Sequence, residues 1–173
     1  MVNRRELLRL GAALGALPLL HTAAASSASL TPATHLHKVV FDRRSAAGRS
    51  FGSEIARTAG AHLVHAIDGD VTDVWYHDLY PRWQRDPAPI AGLTDFAAIF
   101  CLERLAWDFG MRTVFRAEHG PQCDAATGLR IARVIAALPV GLPAVAPLGP
   151  PPERVHAGAP WLVSWMIAPI RRT

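Results

Sequence analysis

The chain has 173 residues, a formal net charge of +4 and a hydrophobic share of 50 %, enough length and apolar content for one domain with a sizeable core. The charge does not mark a nucleic-acid binder, because Lys38 is the only lysine and no basic run with interleaved aromatic residues offers a phosphate-backbone footprint. Two cysteines, Cys101 and Cys123, are too far apart for a metal knuckle and too few for a disulfide scaffold.

In chain order the first element is an export signal. "NRRELLRLGAALGALPLL" sets Arg4 and Arg5 before a modestly apolar run broken by Pro18, and "AAASSAS" supplies small residues after it. The run is too short and too glycine-rich for a stable membrane span. The arginine pair followed by Glu6, Leu7, Leu8 and Arg9 resembles the twin-arginine (Tat) motif, with Asn3, Leu7 and Arg9 where serine, phenylalanine and lysine are commoner. This reading predicts removal of residues 1–25, with cleavage after Ala28 as the second choice, and a periplasmic or secreted product. The resemblance implies passage through the Tat machinery of a chain already folded in the cytoplasm, usually because a cofactor or partner subunit is acquired there; no motif identifies a cofactor. Removing three arginines and one glutamate with the signal lowers the formal charge from +4 to +2. In an oxidising compartment Cys101 and Cys123 either form one bridge or stay free, Cys101 buried on a helix and Cys123 free or exposed.

Residues 36–173 read as a single domain. "HKVVF" is a β-rich run, and "SAAGRSFGSEIARTAG" places Ala47, Phe51, Ile55 and Ala59 at four-residue steps on one helical face, with Ser45 as N-cap. "HLVHAI" is a second strand, ended by "DGD". "TDVWYHDLYPRWQ" puts Trp75, Leu79 and Trp83 on one face, with Pro81 disturbing the last turn. "PIAGL" is a third strand; Thr94 or Asp95 caps a helix whose Phe96, Ile99, Phe100, Leu102 and Leu105 are core material and which stops at Gly110. "RTVFRA", "AATGLRIARVIAAL" and "WLVSWMIAPI" complete the series as strand, helix and fifth strand. This alternation predicts an α/β domain built on a mainly parallel sheet of about five strands with flanking helices. The segment at 139–160 holds half of the chain's 14 prolines and is expected to run as a surface loop or an extended arm.

Two motifs suggest catalysis. "GRSFG", residues 48–52, fits G-x-S-x-G, the nucleophile elbow of α/β-hydrolases, with Asp70 and His119 in the right order to act as acid and base. Against it, the strand stops near Phe41, "DRRSAA" intervenes, and a helix capped by Ser45 already contains Ser50; Gly48 and Gly52 then allow close approach to the sheet. "DGDVT" resembles the first motif of haloacid-dehalogenase-like phosphatases, which implies Asp68 as nucleophile, Asp70 as acid/base and Thr94 as the phosphate-binding hydroxyl. The sequence departs from that pattern in lacking a downstream lysine and a later acidic pair. The alternative is a turn in which Asp70 or Thr72 caps the next helix. His35 and His37 form a possible metal pair with no third ligand, and His62 and His65 flank a strand.

The constellation favoured by topology is the carboxyl ends of the strands, where open parallel sheets collect ligands. Those ends carry Asp42, Arg43 and Arg44, Asp68 and Asp70, Thr94 and Asp95, and Glu118 and His119. They predict a site for a small polar or anionic ligand, with Arg43 or Arg44 beside a helix N-terminus. The aromatic helix, through Tyr76 and Tyr80, and the proline-rich segment are candidate protein-partner surfaces. The resulting expectation is an exported, non-catalytic accessory or binding subunit, with a small periplasmic hydrolase acting through Ser50 or Asp68 and Asp70 as the alternative.

Overall fold

The computed structural model describes residues 36–139, 142–146 and 161–170; the expected export signal, His35 and most of the proline-rich segment lie outside them. Strand β1 (Lys38–Asp42) leads to helix α1 (Ala46–Ala59), a short 3₁₀ turn (Ala61–Leu63) and β2 (Val64–Ile67). A three-part helix follows: α2 (Thr72–Val74), a π turn (Trp75–Leu79) and α3 (Tyr80–Arg85). Then come β3 (Ile90–Asp95), α4 (Phe96–Trp107), β4 (Met111–His119), α5 (Ala125–Ala137) and β5 (Leu162–Pro169).

The five strands form one sheet in the order β2-β1-β3-β5-β4, flanked by helices, so the α/β expectation holds. β1 pairs in parallel with β2 and β3, whereas β5 pairs antiparallel with both β3 and β4. Four strands therefore run one way and the last strand in sequence is inserted against them. Helical crossovers fix the direction of β2, β3 and β4. In sequence β5 follows a proline-rich segment instead, which imposes no such direction.

Each sheet face buries its own core. Val40, Ile90, Trp165 and Ile167 pack with Val74, Leu79 and Trp83 of the three-part helix and with Ile99 and Leu102 of α4. Val39, Ala91, Leu93 and Met166 pack with Phe51 and Ile55 of α1 and Ile131 and Ile135 of α5. The period-2 alternation of β3, from Ile90 to Ala91, distributes its side chains between these cores.

Local chemistry explains the helix ends. Ser45 Oγ accepts from Gly48 N, Asp95 from Ala98 N and Asp124 from Thr127 N, each cap 2.8–2.9 Å. Gly110 adopts φ +66° just after α4. Asp70 accepts from Thr72 N at 2.8 Å, bracing the turn before α2. Pro81 does not disturb the end of its helix; it opens α3. Tyr80 N bonds back to Trp75 O, closing the wider π turn directly before the residue that has no N–H to offer. That turn keeps Trp75, Leu79 and Trp83 buried, and Trp83 Nε1 donates to Ala88 O at 3.1 Å.

Candidate functional site

After β1 the chain turns onto the α1 face, and after β3 onto the α4 face, so the carboxyl ends of these neighbouring parallel strands bound the crevice where winding changes direction. Arg44 occupies it. Its guanidinium donates from Nη2 to Asp42 Oδ2 at the end of β1 and to Asp95 Oδ2 at the end of β3, both at 2.5 Å. Asp42 is fully buried, and its Oδ1 also accepts from the Arg44 backbone N and Nε, both at 2.9 Å. Gly69, at φ +88°, completes the fit: a Cβ there would stand 2.5 Å from the Arg44 Nη2. The Asp42 hydrogen bond raises the Arg44 pKa, and its charge is permanent.

Arg43 turns the other way. It donates to Asp68, through Nε at 2.5 Å to Oδ1 and through Nη2 to Oδ2, tying the end of β1 to the end of β2. This hydrogen bond holds the Asp68 carboxyl below its usual range. Arg49, one turn into α1, donates to the carbonyls of Arg43 at 2.7 Å and Arg44 at 3.3 Å. Asp42 and Asp95 thus meet across the crevice as the strand order requires, but through Arg44; Arg43 stands with β2. Asp42, Asp68 and Asp95 pair with Arg43 and Arg44, whereas Asp70 turns to Thr72.

The remaining strand-end residues separate from this cluster. Thr94 is buried, accepting from Trp165 Nε1 at 3.0 Å and donating to the Asp95 carbonyl at 3.1 Å. Glu118 and His119 lie at the end of β4, with β5 standing between them and β3. His119 Nε2 lies 2.8 Å from Ser164 Oγ of β5, and burial lowers the imidazole pKa. Ser164 was not singled out in the sequence; only the antiparallel register that sets it opposite Ala117 brings it to His119.

Neither catalytic motif assembles around one centre. Ser50 lies within α1, where a Cβ on Gly48 would overlap the Asp42 carbonyl oxygen and one on Gly52 would stand 2.5 Å from the Phe41 ring. The two glycines serve helix–sheet contact. In "DGDVT", Asp68 binds Arg43, Asp70 braces Thr72, and Thr94 is occupied by Trp165. Lys38 sits at the opposite end of β1, 2.6 Å from Asp78.

Asp78 also accepts from His37 Nε2 at 2.5 Å; burial pushes its carboxyl up, but Lys38 and His37 outweigh burial and hold it low. His65 and His77 both approach Asp73, at 3.5 and 3.0 Å, while His62 is exposed and offers its carbonyl to Lys38 at 3.2 Å. Among the described residues no group of three or more His, Cys, Asp or Glu side chains is arranged to hold a metal ion, and no helix is long and apolar enough to cross a membrane. Cys101 and Cys123 are free, Cys101 exposed and not buried in its helix. Tyr76 and Tyr80 are exposed, and Tyr80 joins a ring cluster with Trp75 and Phe109 at centroid distances of 5.4–6.1 Å. No protein-family model matches the chain, and comparison with curated proteins and with solved structures gives no match.

Proposed function

We propose that the chain is an exported accessory or binding subunit that holds a small polar ligand at the carboxyl ends of the neighbouring strands β2, β1 and β3. The observation that carries this reading is Arg44, a half-exposed guanidinium fixed by one buried and one partly exposed carboxylate at the winding switch point. Such a group is pre-organised: its cost of ordering is met in folding, so a ligand meets a fixed surface. Arg43 and Arg44 are engaged by carboxylates and Arg49 by backbone carbonyls, so the acceptor lone pairs left at the rim are those of Asp70 and, beside its Arg43 contacts, of Asp68. A ligand bringing N–H or O–H donors suits that rim better than a strongly anionic one. Export rests on Arg4 and Arg5 and the apolar run behind them.

The test is purification of the mature chain from the export compartment, followed by native mass spectrometry. A stoichiometric companion, whether small molecule or protein, that is lost in Asp68→Asn/Asp70→Asn with an unchanged melting temperature supports the proposal. A chain that purifies bare and gains no thermal stability from a panel of polyols, amines and amino acids refutes the binding role. Arg4→Lys/Arg5→Lys separately tests routing: the doubly substituted precursor should stay in the cytoplasm in folded form, and continued export would refute the Tat reading.

A further inference from the structure

A groove lies on the α5 side of β4, beyond β5 from the Arg44 crevice. Between Thr113 and Phe115 the pairing of β4 with β5 shifts register, Thr113 opposing Ile167 and Phe115 opposing Met166. The bulged residue changes the parity of the strand. Thr113 reaches Glu103 of α4 on one face, at 2.7 Å, whereas Phe115, Ala117 and His119 all line the other face, beneath α5. Together with Ser164 of β5 and Thr127, Arg130, Ile131 and Val134 of α5 they enclose a groove of about 300 Å³. That is at the lower end of small-molecule sites.

The walls are apolar, from Phe115, Ala117, Ile131 and Val134. The polar groups sit at two places. Ser164, 2 % exposed, and His119 form a hydrogen-bonded pair; the Ser164 hydroxyl also lies 3.5 Å from the Ala117 carbonyl, and the His119 imidazole makes no other hydrogen bond among the described residues. At the α5 rim Arg130 donates from Nη2 to Thr127 Oγ1 at 2.7 Å and makes no ion pair among the described residues. The Asp124 carboxylate accepts instead from the backbone and hydroxyl of Thr127, at 2.8 and 2.7 Å. The lining of the groove is therefore almost wholly apolar, the Ser164–His119 pair is closed on itself, and a guanidinium with open donors stands at the α5 rim.

From this arrangement we infer that the groove binds a small amphipathic monocarboxylate, its hydrocarbon body between α5 and β4 and its carboxylate at Arg130. Arginine matches a carboxylate with two parallel N–H donors. The apolar body supplies most of the affinity by leaving water. Ser164 is not set up for acyl transfer: it lies between two paired strands, opposite Leu93 and Ala117, so the ladder engages the neighbouring backbone N–H groups that would have to stabilise an oxyanion.

Isothermal titration of the mature chain with octanoate, acetate and 1-octanol tests the assignment. Octanoate should bind with 1:1 stoichiometry and at least tenfold more tightly than either acetate or octanol. Arg130→Gln should weaken octanoate about tenfold, as expected for losing a bidentate charged contact, and leave octanol unchanged. Val134→Trp, at a half-exposed rim position, should block octanoate and octanol alike without lowering the melting temperature; Ala117→Leu fills the groove from the strand side as a second, independent block. Octanoate binding that survives both blocking variants, equal affinity for octanoate and acetate, or no binding of octanoate at all would overturn the proposal.

Discussion

Arg43 and Arg44 are neighbours in sequence, carry the same charge and each contact an aspartate at a strand end, yet their replacement should have very different consequences. Arg44 is the partner of Asp42, a fully buried carboxylate whose one other side-chain hydrogen bond among the described residues comes from the Arg44 backbone N. Truncation to alanine leaves that charge inside the sheet end without a counter-ion. Breaking one side of a buried pair costs about 3–5 kcal/mol. Because the Arg44 side chain is 46 % exposed, solvent screens part of its field, which places the expected loss at about 2–3 kcal/mol, or roughly 8–12 °C in melting temperature for a domain of this length. The Arg43–Asp68 pair is exposed on both sides, so Arg43→Ala should leave the melting temperature unchanged within error. Urea denaturation of the two single variants at pH 7.5 measures this difference directly. Asp42→Asn in the Arg44→Ala background should recover part of the loss, because the stranded group is then neutral. Equal effects from the two arginines, or no recovery with asparagine, would refute the assignment of Arg44 as the counter-ion of a buried charge.

Three further predictions concern α1 and acid stability. Ser50→Ala should change stability by no more than about 0.5 kcal/mol, since the hydroxyl makes no hydrogen bond among the described residues and alanine is the better helix former. Gly48→Ala, normally favourable in a helix, should instead cost about 1–3 kcal/mol by urea denaturation, because the added methyl meets a backbone oxygen that cannot swing aside. A stabilised Gly48→Ala protein would show that α1 does not approach the sheet so closely. Burial lowers the pKa of both His119 and His65. The unfolded chain, with histidine near 6.5, therefore binds more protons below that pH than the folded one. Their contribution is complete above about pH 6.5 and is lost as pH falls toward the lowered folded values. Stability should decline between pH 7.5 and 5.5, and His65→Gln/His119→Gln should flatten the decline; a wild-type protein as stable at pH 5.5 as at 7.5 contradicts it.

Much of this architecture is legible in local chemistry. Ser45, Asp95 and Asp124 cap helices as short polar residues before apolar periodic runs do, and Trp75, Leu79 and Trp83 share a buried face at four-residue steps. The strand-end carboxylates and arginines were visible as a set because each follows an apolar strand. Which arginine takes which aspartate was not: the backbone after Asp42 directs Arg43 toward β2 and Arg44 toward β3, and a sequence carries no record of that divergence. The π turn was equally hidden, since Pro81 signals a break in hydrogen bonding but not whether the helix ends or widens to pass it.

The largest departure comes from one strand, and it reorganises the polar ends into two places. Had β5 followed a helical crossover, it would have run with the others, and its carboxyl end would have joined the crevice. Running against them, it brings its amino end there, Leu162 opposing Asp95 on one side and His119 on the other. An apolar position thus interrupts the polar row, separating the Asp42–Arg44–Asp95 cluster from the His119–Ser164 pair. The same reversal fixes Ser164 opposite Ala117, and the bulge after Thr113 turns Ala117 and His119 toward α5. Ser164 becomes chemically relevant only through these two register events, each of which depends on strands more than 40 residues apart in sequence. A constellation assembled by register, not by spacing along one element, is therefore where a reading of periodicity reaches its end.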